Sequence, residues 1–450
     1  MIFFMKKYFL IFFFCSISCV YSQKNQLIDT ADYNQRTALI SQYKSKHQFF
    51  NKLISKKYKG KLGVQIKKTY KEAQKSFLNI IEKKKLTFDK RFQDYTDSLS
   101  NSIIKSNPLL ADEPIKILIA KDPEANALSI GDGTVILNLG LFAVVENEHQ
   151  FASVLSHELA HQILQHTEAT IVFRAEYEVS KEKREQTRAI RSQKFGRYEK
   201  AFDELKDLLY SFGKERKNNE IQADSLGYIL FRNSQFKANE FVDALDHLAS
   251  LDSIENGSLT VEDYKKFFDL PDYKFKEDWL KKEEFSAYNY ENYKEKINLD
   301  SVKSHPEILQ RIDRLKSQFN ELRQDDNSTV THHTNPYFTR LQEIAIQEKI
   351  PNLFYLEKNG VSIYTILKRI QENKIPENLG YYHFWLGKNF QHLYEAKKKY
   401  QMNRYVDTVV PNKQSENYQL FLTFIWNLKL EDLKAIGDYY LKIGKLADNQ

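Results

Sequence analysis

The chain has 450 residues, 42% hydrophobic, 28% charged and 14% aromatic, and its net charge of +7 is the difference between 67 basic and 60 acidic side chains. That length allows two or three domains; a mean hydropathy of −0.58 excludes a polytopic membrane protein, and the aromatic content excludes a fully disordered one. Fourteen glycines and nine prolines are too few for a turn-rich β protein, so long helices are favoured, and a charge excess this small predicts no nucleic-acid partner.

Lys6 and Lys7 precede an apolar run from Tyr8 to Val20, and no further charge follows until Lys24. A basic start followed by about a dozen apolar residues reads as a secretory signal peptide over residues 1–22. It is shorter than the roughly 20 residues a membrane span needs. Val20-Tyr21-Ser22 predicts cleavage after Ser22, giving an exported protein, periplasmic or secreted, with no transmembrane span in the mature chain. A lipid anchor through Cys19 is disfavoured, because Ser16 stands where a large aliphatic residue is usual. Both cysteines, Cys15 and Cys19, fall in the removed segment, so the mature chain would be free of cysteine.

Residues 23–109 are polar, lysine-rich and helical in pattern. The clear β signal comes next: a strand over Ile115–Ile119 and another over Thr134–Asn138, with Gly131-Asp132-Gly133 as the turn before it. From Glu146 the pattern is helical to Leu322. The stretch 324–336, QDDNSTVTHHTNP, has the composition of a linker, and 337–450 is again helical and aromatic-rich. The fold class expected is mainly α with a small β-sheet, an α+β core over 110–323 flanked by helical regions.

The chemistry is concentrated in His157-Glu158-Leu159-Ala160-His161, an HExxH motif in a stretch whose apolar stripe is Phe151, Leu155, Leu159 and Ile163. On a helix His157 and His161 lie one turn apart on one face, so both imidazoles can reach a single zinc ion. Glu158 is turned about 100° away. It is placed to take a proton from a metal-activated water rather than to complete the ligand set. Two histidines leave zinc one protein ligand short. Glu220-Ile221-Gln222-Ala223-Asp224, an ExxAD sequence, supplies Glu220 as the third, and Asp224, one turn on, is placed to accept the outer N–H of a ligand histidine.

The segments NALSIGDGTVILNLGLF, SHELAHQILQH, NNEIQADSLGYIL and SHPEILQRIDRL occur in the order seen in HtpX-like zinc metallopeptidases. The chain resembles this gluzincin family, which includes the CAAX prenyl proteases and the soluble periplasmic BepA-like branch, over roughly 110–320. The resemblance implies one zinc ion per chain held by His157, His161 and Glu220, with Glu158 as catalytic base. It also implies that the strand Thr134–Asn138, including Val135 and Ile136, is the edge strand beside the cleft, where an extended peptide would add by backbone pairing. Asn126 and Ala127 resemble the supporting segment before that strand. The lack of membrane helices points to the soluble branch and to protein or peptide substrates rather than prenylated ones, in envelope quality control. BepA-like proteins carry a tetratricopeptide-type domain where 337–450 stands. No clean 34-residue period is visible there, so an envelope-complex partner for that region is an open expectation.

His305 begins the last of these segments, either reaching the active site or the open zinc position, or capping the helix that follows Pro306 and Glu307. His166, about 140° off the ligand face of a continued helix, reads as packing rather than as a ligand. The aromatic stretch Phe267–Tyr293 reads equally as a lid over the cleft and as a packed structural excursion. The rival to an exported zinc endopeptidase is a chaperone-like assembly factor that binds clients through its C-terminal helices and keeps its peptidase shut.

Overall fold

The computed structural model describes residues 28, 32–192, 197–251, 259–281, 308–323, 335–372, 379–410 and 414–447. The expected leader with its cysteines, His305 and nearly all of the expected linker lie outside the described residues. The chain opens with a hairpin of α1 (Tyr33–Lys57) and α2 (Gly60–Glu82), then β1 (Leu86–Thr87), α3 (Lys90–Ser106), β2 (Lys116–Ala120), β3 (Ala127–Ser129), β4 (Thr134–Asn138) and α4 (Leu139–Val144). Next come α5 (Glu148–Ile163), α6 (His166–Val179), α7 (Lys181–Ser192), α8 (Arg197–Arg232), α9 (Glu240–Leu251), α10 (Val261–Phe268) and α11 (Ile308–Gln318). The C-terminal helices are α12 (Pro336–Tyr355), α13 (Asn359–Gln371), α14 (Leu379–Lys398), α15 (Glu416–Asn427) and α16 (Leu430–Ala447). The protein is thus mainly helical around one small sheet, the α+β arrangement expected from the sequence. Among the described residues, no helix is long and apolar enough to cross a membrane.

The sheet runs β1-β2-β4-β3, with β2 parallel to β4 and the two outer pairings antiparallel. Side chains alternate across it. Ile117, Ile119, Val135 and Leu137 enter the core shared with α3, α5 and α8, whereas Leu118, Ala120 and Ile136 meet Leu39, Tyr43, Phe77 and Ile81 of the hairpin. β4 is therefore covered on both faces and paired on both sides.

This corrects the expectation that β4 is the edge beside the cleft. Thr134, Val135 and Ile136 are buried, and the hydroxyl of Thr134 is engaged by Tyr43 Oη at 2.7 Å and Lys46 Nζ at 3.1 Å. The margin of the sheet is β3, which begins at Ala127, immediately after the exposed Asn126. Asn126 and Ala127 thus belong to the edge itself.

A second core gathers α13 to α16 around Phe390, Phe424 and Ile436. It also takes in Tyr264, Phe268 and Trp279, which sit between Glu220 and His305 in the chain. Asn427 Nδ2 donates to Trp279 O at 3.2 Å, and Tyr440 Oη to Phe267 O at 2.5 Å. The described part of the aromatic stretch is therefore packed structure inside the C-terminal core, although the expected boundary placed it with 110–323. Helix α12 joins the two cores: Phe338, Leu341 and Ala345 pack in the first, and Ile350 in the second.

Candidate metal centre

Helix α5 starts where Asn147 Oδ1 accepts from the backbone N–H groups of His149 and Gln150, at 2.9 and 3.0 Å, a cap that satisfies two of the free donors of a helix start. Its buried stripe, Phe151, Leu155 and Leu159, fixes the rotation of the helix, so His157 and His161 turn toward α8. Close approach of α8 depends on Gly227. A Cβ there would stand 2.9 Å from the Cα of His157, closer than carbon atoms pack. That approach brings Glu220 over the two imidazoles.

His157 Nε2 and His161 Nε2 are 3.0 Å apart, and Glu220 oxygens lie 3.5 Å from the first and 3.6 Å from the second. Donors about 2.05 Å from a tetrahedral ion stand about 3.3 Å from one another, so these separations fit the edges of a zinc tetrahedron. Among the described residues this trio is the one group of histidine and carboxylate side chains able to hold a metal ion.

The outer nitrogens of both imidazoles have close polar neighbours, an ion-pair contact for His157 and a hydrogen bond for His161. His157 Nδ1 lies 3.0 Å from Asp224 Oδ1, and His161 Nδ1 lies 2.9 Å from His166 Nδ1. His166 Nε2 in turn lies 3.2 Å from Gln222 Oε1, which as an amide oxygen can only accept. His166 therefore carries its proton on Nε2 and accepts the Nδ1–H of His161. The two Nε2 atoms thus face one point, where a shared metal ion would sit. Burial alone would keep His157 uncharged, but Asp224 and Glu220 outweigh it and hold its pKa up to about 10. Burial, with the neighbouring charge of His157, drives His161 down to about 3.

Arg311, from α11, closes the site from behind. Its Nε and Nη2 donate to the two oxygens of Asp224 at 2.7 and 2.6 Å, and its Nη1 lies 3.5 Å from Glu220 Oε2. Arg311 and Asp224 are 6% and 2% exposed, so their charges must be matched within the protein. Burial would raise the pKa of Asp224, but the guanidinium and His157 hold it below the ordinary carboxylate value. Glu158 lies on the ligand helix, half-buried, and its charge also acts on Arg311.

Two residues with clear places at the site were not singled out for them in the sequence. Arg311 lies in the SHPEILQRIDRL segment, where attention falls on His305. His166 is buried and stands outside the metal trio, as expected, but its contact with His161 was not foreseen because α5 stops at Ile163: Gln165 takes a left-handed φ of 52°, and α6 restarts at His166 and returns it to His161. Replacing His166 with alanine should weaken zinc binding about ten- to a hundredfold in competition with a chromophoric chelator. His166→Gln, which offers an acceptor oxygen, should lose less. Equal affinity in all three proteins would contradict this role.

The edge strand β3 lies beside this centre. Ser129 Oγ donates to Gln162 Oε1 at 3.2 Å, and Thr167 Oγ1 donates to Ser129 O at 3.1 Å. Even-numbered β3 residues pair with β4, since Asn138 N donates to Asn126 O and Ile130 N to Thr134 O. The backbone groups of Ala127 and Ser129 therefore face outward.

An 81-residue stretch is 30% identical to the Beta-barrel assembly-enhancing protease of Yersinia pestis, a match covering 18% of this chain and 16% of that protein. The chain therefore spans about a sixth of the length of that relative. Residues 93–318, just over half of the chain and the part that holds both histidines, Glu220, Asp224 and Arg311, match the sequence profile described as Peptidase family M48. The chain belongs to peptidase family M48.

Proposed function

We propose that this chain is an exported zinc endopeptidase that hydrolyses protein substrates in the cell envelope. The observation that carries the reading is the convergence of His157, His161 and Glu220 on one point, with Glu158 on the same helix. Zinc bound there would supply Lewis acidity, polarising a peptide carbonyl and lowering the pKa of water toward about 7. Glu158 accepts the proton of the attacking water and returns it to the leaving amine. Asp224 and His166 keep both imidazoles in the Nδ1–H form, and Arg311 neutralises carboxylates that the histidines cannot. An extended substrate adds to β3, using the outward C=O of Ala127 and N–H of Ser129, with Asn126 at the end of that edge. The envelope setting draws on the predicted leader and on the likeness to a protease named for β-barrel assembly. Within that reading, the helices of 337–450 are where a partner of an envelope complex would dock.

Removing the metal tests the reading. Dialysis against 1,10-phenanthroline should abolish cleavage of fluorescent casein, and one equivalent of zinc per chain should restore it. Undiminished cleavage with metal content at background would defeat it.

A further inference from the structure

The net charge of the chain is small, yet it is unevenly placed. Between Tyr33 and Lys85 stand fourteen lysines and one arginine against two carboxylates, Glu72 and Glu82, so the rest of the chain is net acidic. Nearly all these cations sit on α1, α2 and the turn after α2. On α2 the buried face carries Ile66, Tyr70, Phe77 and Ile81. The opposite face displays Lys61, Lys68, Lys71 and Lys75, all exposed, in one stripe at intervals of seven, three and four residues. Among the described residues, the ion pairs of the hairpin are Arg36–Asp32, Lys46–Asp132 and Lys57–Glu168, so none of the four lysines is held in an ion pair. Glu72 and Glu82 share their face and leave it net positive.

Exposed apolar side chains stand on both helices of the hairpin. Phe49 and Leu53, one turn apart on α1, are 65% and 45% exposed, and Val64, within the stripe of α2, is 71% exposed. Helix faces that combine lysines with exposed phenylalanine and leucine suit the boundary of a bilayer: ammonium groups meet lipid phosphates while apolar side chains enter the acyl margin. A nucleic acid is the poorer fit. Its recognition leans on the planar fork of arginine, and this surface has fourteen lysines to one arginine.

We infer that the α1–α2 hairpin is a docking surface for a bilayer rich in anionic phospholipid, holding the enzyme at a membrane without spanning it. The inference rests on charge and exposure and is independent of the peptidase reading. The hairpin also covers the face of the sheet that carries Ile136, so docking would hold the β3 edge near the lipid surface.

The test is flotation of the purified full chain with phosphatidylcholine vesicles and with vesicles in which about a third of the lipid is phosphatidylglycerol. Binding to the anionic vesicles should exceed binding to the neutral ones at least tenfold and should collapse at about 0.5 M salt. The leader, with Lys6 and Lys7, is the same in wild type and variants, so a preference lost on changing the hairpin lysines belongs to the hairpin. The K61Q/K68Q/K71Q/K75Q variant, checked for unchanged circular dichroism, should lose most of the preference, and F49S/L53S should weaken binding severalfold while leaving the salt dependence. Equal binding to both vesicles, an unchanged quadruple variant, or tighter binding to a short DNA duplex than to the anionic vesicles would each overturn the inference.

Discussion

Glu158→Gln should lower casein cleavage by about a hundred- to ten-thousandfold while leaving one zinc ion bound per chain. The substitution keeps the size of the side chain and its ability to hydrogen-bond, and it removes only the capacity to take a proton. Glu158 follows His157 by one residue and is therefore turned about 100° from the donor atoms. The trio that brackets the metal position is His157, His161 and Glu220, so metal content by mass spectrometry should be unaffected. His157→Ala provides the contrast, because it should lose metal and activity together. Cleavage within tenfold of wild type by a zinc-loaded Glu158→Gln protein would refute the role assigned to this carboxylate.

Arg311→Met should cost about 3–5 kcal/mol of stability in the metal-free protein. The guanidinium holds both oxygens of Asp224 and stands beside Glu220, all in a buried setting, and a shorter, uncharged thioether leaves two carboxylates with His157 as their partner. Two added positive charges at the metal position oppose that loss. Urea unfolding should therefore show a large deficit in chelator and a smaller one with zinc. Arg311→Lys, which restores the charge without the two-pronged geometry, should fall between. A methionine variant as stable as wild type in chelator would show that Asp224 is compensated in some other way.

The parts of the site set by helical periodicity were legible in the sequence, because the spacing of His157 and His161 and the later Glu220 fix faces that no other element has to supply. What failed was non-local. β4 reads as a strand from Thr134-Val135-Ile136-Leu137-Asn138, but whether it is interior or marginal depends on β3, three residues with no apolar run. The unbroken apolar stretch of β4 was a usable signal, since continuous rather than alternating hydrophobicity marks a strand covered on both faces. Arg311 could also have been anticipated by counting charge. Two zinc charges do not balance Glu158, Glu220 and Asp224, and a buried cation is needed to finish the sum. His166 offered no such clue, because the break before it falls at Leu164-Gln165 and not at a glycine or proline. The aromatic segment around Trp279 was ambiguous for a similar reason: its partners lie more than a hundred residues further along the chain.

Helix α12 also sets an order of assembly. Its Phe338 lies 5.8 Å, ring to ring, from Phe151 of the metal helix and 6.1 Å from Phe142 beneath it. During synthesis the hydrophobic floor under His157 and His161 stays open until Ala345 has left the ribosome, long after both histidines and Glu220 have emerged. The nascent chain thus carries all three residues of the trio before α12 is made, and a truncated product ending near the expected linker would lack the helix that covers that floor.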